Sequence, residues 1–298
     1  MKIAVIGGTG RLGKPVANAF KKAGYEVTLV VRDASWALEQ VQSDFGFATA
    51  NVNSVQQLTQ ALLGMDAVYI SLSGFDEAQC QKVIHQGTKN IVAAAKICGV
   101  KTLGFLSGSH VNEENSHKHY EVKARYQAEL AIKSSGLNYL FFCPSWFMET
   151  LPLFVRDGKV CLFAKSRQKT HWLALDDYAT MVVKAFGDAR LNSSRIILRG
   201  PEPLTLEQAL KRYMKWFNQD EMLTIMPVYL AWVMISFGGK KTLLHWANMC
   251  RYFESVGEEK NDELASKILP VARFNLDAWC QLNVANKYRK GDNLLEIE

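Results

Sequence analysis

Short apolar runs alternate with amphipathic stretches through the first half of the chain. The runs Lys2–Ile6, Glu26–Val31, Gly46–Asn51, Asp66–Leu72, Lys101–Leu106 and Asn138–Phe142 are short, rich in β-branched and aromatic residues, and largely without internal polar alternation. Runs of that kind predict parallel strands buried on both faces. Between them, helical periodicity predicts helices over Lys14–Ala23, from the capping box Ser54-x-x-Gln57 to near Gly64, over Glu77–Cys98 and over His117–Ser134. Strand and helix patterns that alternate in this way specify an α/β fold, a doubly wound parallel sheet.

Past Ser145 the pattern loosens. A strand is predicted over Val160–Phe163, a helix start within Leu173–Ala179, and a strand over Arg195–Leu198. The turn Gly200-Pro201-Glu202-Pro203 precedes a second capping box, Thr205-x-x-Gln208, and Pro227–Leu282 reads as helical with several tryptophans.

One junction carries chemistry. The first strand runs directly into Gly7-Gly8-Thr9-Gly10-Arg11-Leu12-Gly13, and a helix follows at once. In that context the glycines permit a tight turn, close approach of a pyrophosphate and close packing of helix on strand, while the helix N-terminus favours an anion. The second strand ends at Arg32, where an acidic residue would select the ribose hydroxyl of NAD and an arginine accommodates the 2′-phosphate of NADP. Arg11 offers that phosphate a second guanidinium. NADP(H) is therefore expected over NAD(H), against the alternative of a solvated Arg32-Asp33 pair that touches no ligand. Ligands of open sheets bind at the carboxyl ends of the strands, which draws attention to Ser71–Gly74, Ser107–His110 and Cys143–Phe147 as well. Residues 1–150 are expected to form an NAD(P)-binding Rossmann domain. Residues 151–298 are expected to complete the sheet and to form a smaller, mainly helical substrate lobe.

Composition narrows the class. The 298 residues are 48% hydrophobic and 21% charged, as in ordinary soluble domains. The net charge of +6 is spread along the chain, so no nucleic-acid partner is expected. The six cysteines are widely spaced and read as reduced thiols. A strand beginning at residue 2 leaves no room for a leader peptide, and a cytoplasmic location is expected. Residues Met222–Phe237 are almost wholly apolar but contain Pro227 and are too short to cross a bilayer. A buried helix or the wall of a lipophilic substrate pocket is favoured there over contact with a membrane surface. His110, His117 and His119 lack cysteine partners and the spacing of a metal site, so no metal is expected.

The motifs GGTGRLG at 7–13, VVRD at 30–33, Ser135-Gly136-Leu137, Pro144-Ser145-Trp146-Phe147-Met148-Glu149, Asp176-Asp177-Tyr178-Ala179 and GPEPLT at 200–205 together resemble the NmrA-like group of atypical short-chain dehydrogenase/reductases. That group includes isoflavone-reductase-like enzymes and NADPH-quinone oxidoreductases. The likeness covers roughly residues 1–210 and implies a cofactor-binding set of Gly7, Thr9, Gly10, Arg11, Leu12, Gly13, Arg32, Asn51, Leu72, Ser73, Gly74, Lys123 and Pro144. Asn51 would meet the adenine edge, and Leu72-Ser73-Gly74 would line the cofactor. The arginine that the family places before the Pro144 motif is Cys143 here.

Ordinary members of this superfamily use a Tyr-x-x-x-Lys pair, in which the lysine lowers the pKa of a proton-donating tyrosine one helical turn away. Here the segment is His119-Tyr120-Glu121-Val122-Lys123, with histidine where the tyrosine would stand. Lys123 would bind the nicotinamide ribose or polarise an acceptor oxygen, or it is a solvated helix lysine. His119 is a candidate proton donor, Tyr120 lies nearby, and Ser107 or Ser109 would hold an acceptor oxygen. The leading expectation is an NADPH-dependent reductase acting on a quinone, enone or similar lipophilic small molecule. Its rival is a non-catalytic NADP(H)-sensing regulator or assembly factor with a protein partner. Nucleotide-sugar epimerisation is disfavoured because it relies on the tyrosine.

Overall fold

The computed structural model describes residues 1–40, 45–156, 159–162, 167–217, 222–225, 248, 251–252, 254–258 and 263–290. Strands β1 (Lys2–Ile6), β2 (Glu26–Val31), β3 (Gly46–Thr49), β4 (Ala67–Ile70), β5 (Thr102–Leu106) and β6 (Asn138–Pro144) join Ser194–Leu198 in one seven-stranded sheet. The order is Ser194–Leu198, β6, β5, β4, β1, β2, β3, and every neighbouring pair is parallel. The chain thus builds outward from β1 through β2 to β3, then restarts on the other side of β1 with β4. That reversal creates the crevice between β1 and β4 in which doubly wound folds take ligands.

The apolar runs become fully buried strands: Ile3, Ala4, Val5, Val68, Tyr69, Ile70, Leu103 and Phe105 are all 0% exposed. Helix α1 (Gly13–Lys22) buries Val16, Ala17 and Phe20, and α3 (Val55–Leu62) buries Leu58, Ala61 and Leu62. Gly104 leaves room on β5 for an aromatic ring, since a Cβ there would lie 2.4 Å from Phe186 Cζ. Phe186 packs edge-on against Phe20, and the buried hydroxyls of Tyr69 and Tyr178 meet at 2.8 Å beside it. Burial of both phenols pushes their pKa values far up, so they stay neutral and share the hydrogen bond.

Several elements differ from the sequence expectation. The helix expected over Glu77–Cys98 is one continuous run, but Cys80–Gln86 is π-helical between Glu77–Gln79 and Gly87–Ile97. The helix expected over His117–Ser134 is the single helix Tyr120–Lys133, and a separate short helix, Glu113–Ser116, capped by Asn112, precedes it. The box at Ser54 is half formed, because the Ser54 hydroxyl accepts from Gln57 N–H while the Gln57 side chain accepts from Asn51 N–H. At Thr205 both halves are present.

The chain divides into two compact units. The first comprises Met1–Pro144, Tyr178–Leu198 and Glu259–Pro270, and contains the sheet just described. The second comprises Ser145–Asp177, Arg199–Glu258 and Val271–Glu298. Its described part holds strands as well as helices: Trp146–Phe147, Thr170–Leu173 and Pro203–Leu204 form one small sheet, and Val155–Arg156, Lys159–Leu162 and Met222–Ile225 another. Met222–Ile225, expected to open a buried helix or the wall of a lipophilic pocket, is a strand parallel to Lys159–Leu162, and the rest of that apolar segment lies outside the described residues. Among the described residues no helix is long and apolar enough to cross a membrane.

Carboxylates organise the second unit. Asp177 accepts from Arg273 N–H at 2.7 Å, Arg273 Nε–H at 2.9 Å and Phe274 N–H at 3.0 Å, so this member of the DDYA motif anchors the approach to the helix Leu276–Lys290. Glu149 Oε1 accepts from Leu175 N–H at 3.0 Å and from the Trp279 indole N–H at 2.9 Å. Its Oε2 is buried and has no hydrogen-bond partner among the described residues, and burial raises the Glu149 pKa to about 7.

Candidate active site

The glycine turn follows β1 directly. Gly7 adopts φ +81°, and a Cβ there would lie 2.0 Å from the Ser71 carbonyl oxygen, so only glycine fits. A Cβ on Gly13 would lie 2.2 Å from Gly7 O, which forces glycine where α1 begins. Gly10 N–H closes the turn on Gly7 O at 3.1 Å. Leu12 caps α1 without a side-chain hydrogen bond, and the first helical turn carries no carboxylate. The positive end of the helix dipole is therefore left for an anion.

Arg11, within this turn, and Arg32, after β2, are exposed, and neither has an ion-pair partner among the described residues. Asp33 is otherwise engaged. Its Oδ1 accepts from Ser35 N–H at 2.9 Å and Trp36 N–H at 3.2 Å, capping helix α2 (Ala34–Gln40). The Arg32-Asp33 dipeptide is thus divided, with the carboxylate turned to the backbone. Asn51 is exposed beyond the end of β3, and its Oδ1 accepts from Asn53 N–H at 2.9 Å in an Asx turn.

The segments after β4 and β5 flank the other side of the crevice. Ser71 N–H bonds Ile6 O at 2.9 Å, extending β4 alongside β1; Leu72 and Gly74 are buried and Ser73 is exposed. Gly74 packs on the start of the π-helix, where a Cβ would lie 2.8 Å from Cys80 N. Ser107 N–H bonds Phe142 O at 2.8 Å and Ser109 N–H bonds the carbonyl of buried Pro144 at 3.0 Å. The Ser107 hydroxyl donates to Glu129 Oε1, so it already has an acceptor within the protein.

Two arginines that the sequence reading did not single out hold these segments. Arg125 donates to Leu106 O at 2.6 Å and to Leu72 O at 3.4 Å, and pairs with Glu121 at 2.8 Å. Arg195 donates to Gly108 O at 2.9 Å and to Val111 O at 2.7 Å, and its Nε stands 3.6 Å from Glu129 Oε2. Both glutamates lie on the helix Tyr120–Lys133.

The histidine-tyrosine-lysine segment is placed differently from the expected helix face. His119 is the N-cap, with extended backbone at φ −150° and ψ 135°, and not a helical residue one turn before Lys123. Its Nδ1 accepts from Glu121 N–H at 3.2 Å, which assigns the proton to Nε2. The ring is 7% exposed and stacks on Tyr120 with centroids 4.4 Å apart. Burial, reinforced by the Cys80 thiol and by Glu121, Asp76 and Glu77, raises the Tyr120 pKa to about 12, opposite to the shift that a tyrosine acid needs. Lys123 is exposed, one turn into the helix. Among the described residues no three His, Cys, Asp or Glu side chains converge to hold a metal ion.

Known proteins share this architecture. A chloroplastic Arabidopsis thaliana protein named for a high chlorophyll fluorescence phenotype is 23% identical over 76% of this chain, although the match spans only 58% of its own length. An NAD(P)H azoreductase of Xenophilus azovorans is 24% identical over 68% of this chain and 69% of its own, and a photosystem II assembly factor of Guillardia theta is 23% identical over 77% and 74%. Among solved structures, an Escherichia coli NADPH-dependent quinone oxidoreductase complexed with NADPH superimposes with a TM-score of 0.77 at 20% identity, covering 95% of this chain and 99% of that one. The sequence profile of the NmrA-like family matches residues 1–294, and the chain belongs to that family.

Proposed function

We propose that this protein binds NADP(H) and passes hydride from NADPH to a quinone, enone or similar lipophilic acceptor. The carrying observation is the end of β2. Arg32 is exposed and has no ion-pair partner among the described residues, and the neighbouring acid is committed to capping α2. A 2′-phosphate would find a cation there, whereas a ribose diol would find no free carboxylate. The glycine turn fits the rest of a dinucleotide, since Gly7 and Gly13 admit no side chain and the start of α1 is uncapped by any side chain. When bound, the nicotinamide supplies the hydride. The chain's residues orient it: the turn holds the pyrophosphate, Arg32 and Arg11 the 2′-phosphate, and Leu72-Ser73-Gly74 the path toward the reactive end. Lys123 polarises the acceptor oxygen or holds the ribose.

A second reading, an NADP(H)-sensing regulator or assembly factor, draws on the acid positions. Tyr120 stays protonated to about pH 12, His119 uses Nδ1 as a cap, and two of the relatives named above are not reductases by name. Stopped-flow mixing of the NADPH-bound protein with a panel of quinones and enones separates the two. Saturable NADPH oxidation above the protein-free rate supports the reductase, and tight binding without oxidation supports the sensor. Arg32→Ala tests the shared premise: NADPH affinity falls about tenfold or more while NADH affinity holds, as loss of a charge-assisted phosphate contact requires. Equal losses for both refute the phosphate assignment.

A further inference from the structure

We infer that half-buried Arg195 and buried Glu129 form a positioning clamp that shapes Ser107–Val111 as the wall against which the nicotinamide half of the dinucleotide seats. The inference rests on the NADP(H) reading. With the 2′-phosphate at the end of β2 and the pyrophosphate at the turn after β1, the remaining half of the molecule extends over the ends of β4 and β5, the next strands across the sheet. Ser107–Val111 is the segment that leaves β5 there.

Its backbone is held at every residue. Ser107 N–H bonds Phe142 O, Ser109 N–H bonds Pro144 O, and Asn115 Nδ2 donates to His110 O at 3.1 Å. The carbonyls of Gly108 and Val111 are both taken by one guanidinium nitrogen, Arg195 Nη2. Arg195 stands on a strand that already pairs in register with β6 from Ser194↔Leu140 to Leu198↔Pro144, so its side chain is not needed for that pairing and is directed to the loop. Glu129, with its side chain 4% exposed, lies 3.6 Å from the guanidinium through Oε2 and takes the Ser107 hydroxyl on Oε1. One carboxylate thereby locks the first residue of the loop and orients the arginine that locks the rest. A planar fork reaches two carbonyls and a carboxylate together; an ammonium on a flexible stem does not. A site wall supported in this way is what precise seating of a reactive ring requires.

The test compares two probes on the full-length chain by calorimetric titration. NADPH carries the nicotinamide half, and adenosine 2′,5′-bisphosphate carries only the half at β1 and β2. In Arg195→Lys, NADPH affinity is expected to fall about tenfold while adenosine bisphosphate affinity stays within about twofold. A general loss of stability moves both affinities together, so their ratio reports the wall alone. Equal losses, or no loss of either, overturn the inference. Should Arg195→Lys not fold, Ser107→Ala removes a single hydroxyl from the same network; a selective NADPH loss of about threefold supports the clamp and an unchanged ratio overturns it. Wild-type protein that binds neither probe refutes the NADP(H) reading and this inference with it. Wild-type binding of both with an unaltered ratio in the variants refutes the clamp alone.

Discussion

Glu149 offers a quantitative test of the second unit's packing. Its carboxyl has both oxygens inside the protein, one accepting from Leu175 N–H and the Trp279 indole and the other unpartnered, and its pKa stands at about 7 against an ordinary 4.5. Because the folded pKa is raised, folding favours the protonated acid. The stability this group contributes is fully present below pH 4.5 and is lost as pH rises through about 7. A shift of about 2.5 units at 1.36 kcal/mol each amounts to roughly 3 kcal/mol between those limits. Glu149→Gln keeps an amide oxygen for Leu175 and Trp279 and removes the titration. Its absolute stability also carries a cost of about 1–3 kcal/mol for burying an amide group where Oε2 has no partner, but that cost does not depend on pH. The informative quantity is therefore the difference in unfolding free energy, variant minus wild type, from urea titrations at half-unit steps between pH 4.5 and 8. It should climb by about 3 kcal/mol across the range, with its steepest rise between pH 5 and 7. Two parallel curves would show that Glu149 is ionised at ordinary cost, and the argument from burial would fail.

Three further outcomes follow from the site. Gly7→Ala places a Cβ 2.0 Å from the Ser71 carbonyl at a left-handed backbone position, so it should lower stability by at least about 1–2 kcal/mol and abolish dinucleotide binding; a variant with wild-type melting and affinity would contradict the turn geometry. Tyr120→Phe should leave the pH profile of any NADPH oxidation unchanged between pH 6 and 9, since the phenol is neutral throughout, and a lost limb in the profile would restore Tyr120 as an acid. Lys123→Ala should remove turnover with any acceptor found; NADPH affinity kept within about twofold assigns Lys123 to the acceptor oxygen, and a larger loss assigns it to the ribose. An unaltered rate would leave this exposed side chain a solvated one.

What the sequence disclosed was local. A strand, a glycine turn and a helix are contiguous in residues 2–22, and their meaning is carried by backbone conformation that glycine alone permits, so Gly7 and Gly13 were readable without tertiary information. The buried strands were readable because parallel strands covered on both faces need unbroken apolar runs. The arginine clamps were not, since Arg195 and Glu129 are far apart in the chain and no spacing rule joins them. A faint signal existed: Arg195 immediately precedes the buried run Ile196–Leu198, and Glu129 sits between Ala128 and a buried Ile132, each a charge beside apolar positions. His119 was misplaced because a cap and a first helical residue occupy adjacent positions, and only the backbone dihedrals distinguish them. The π-helical turn likewise leaves helical periodicity nearly intact while shifting the register of the residues beyond it.

The interleaving of the two units has a consequence for anyone dividing this protein. The sheet recruits its outermost strand, Ser194–Leu198, and the buried Tyr178 after the chain has passed through a stretch of the second unit. A fragment ending near residue 150 would possess the whole glycine turn and Arg32. It would also leave β6 as an open edge, Tyr69 with a buried hydroxyl stripped of its partner, and Glu129 facing a space where Arg195 should be. The first unit is therefore a unit of structure without being a unit of sequence, and a fragment of it ending near residue 150 should aggregate or need the missing strand supplied as a second piece.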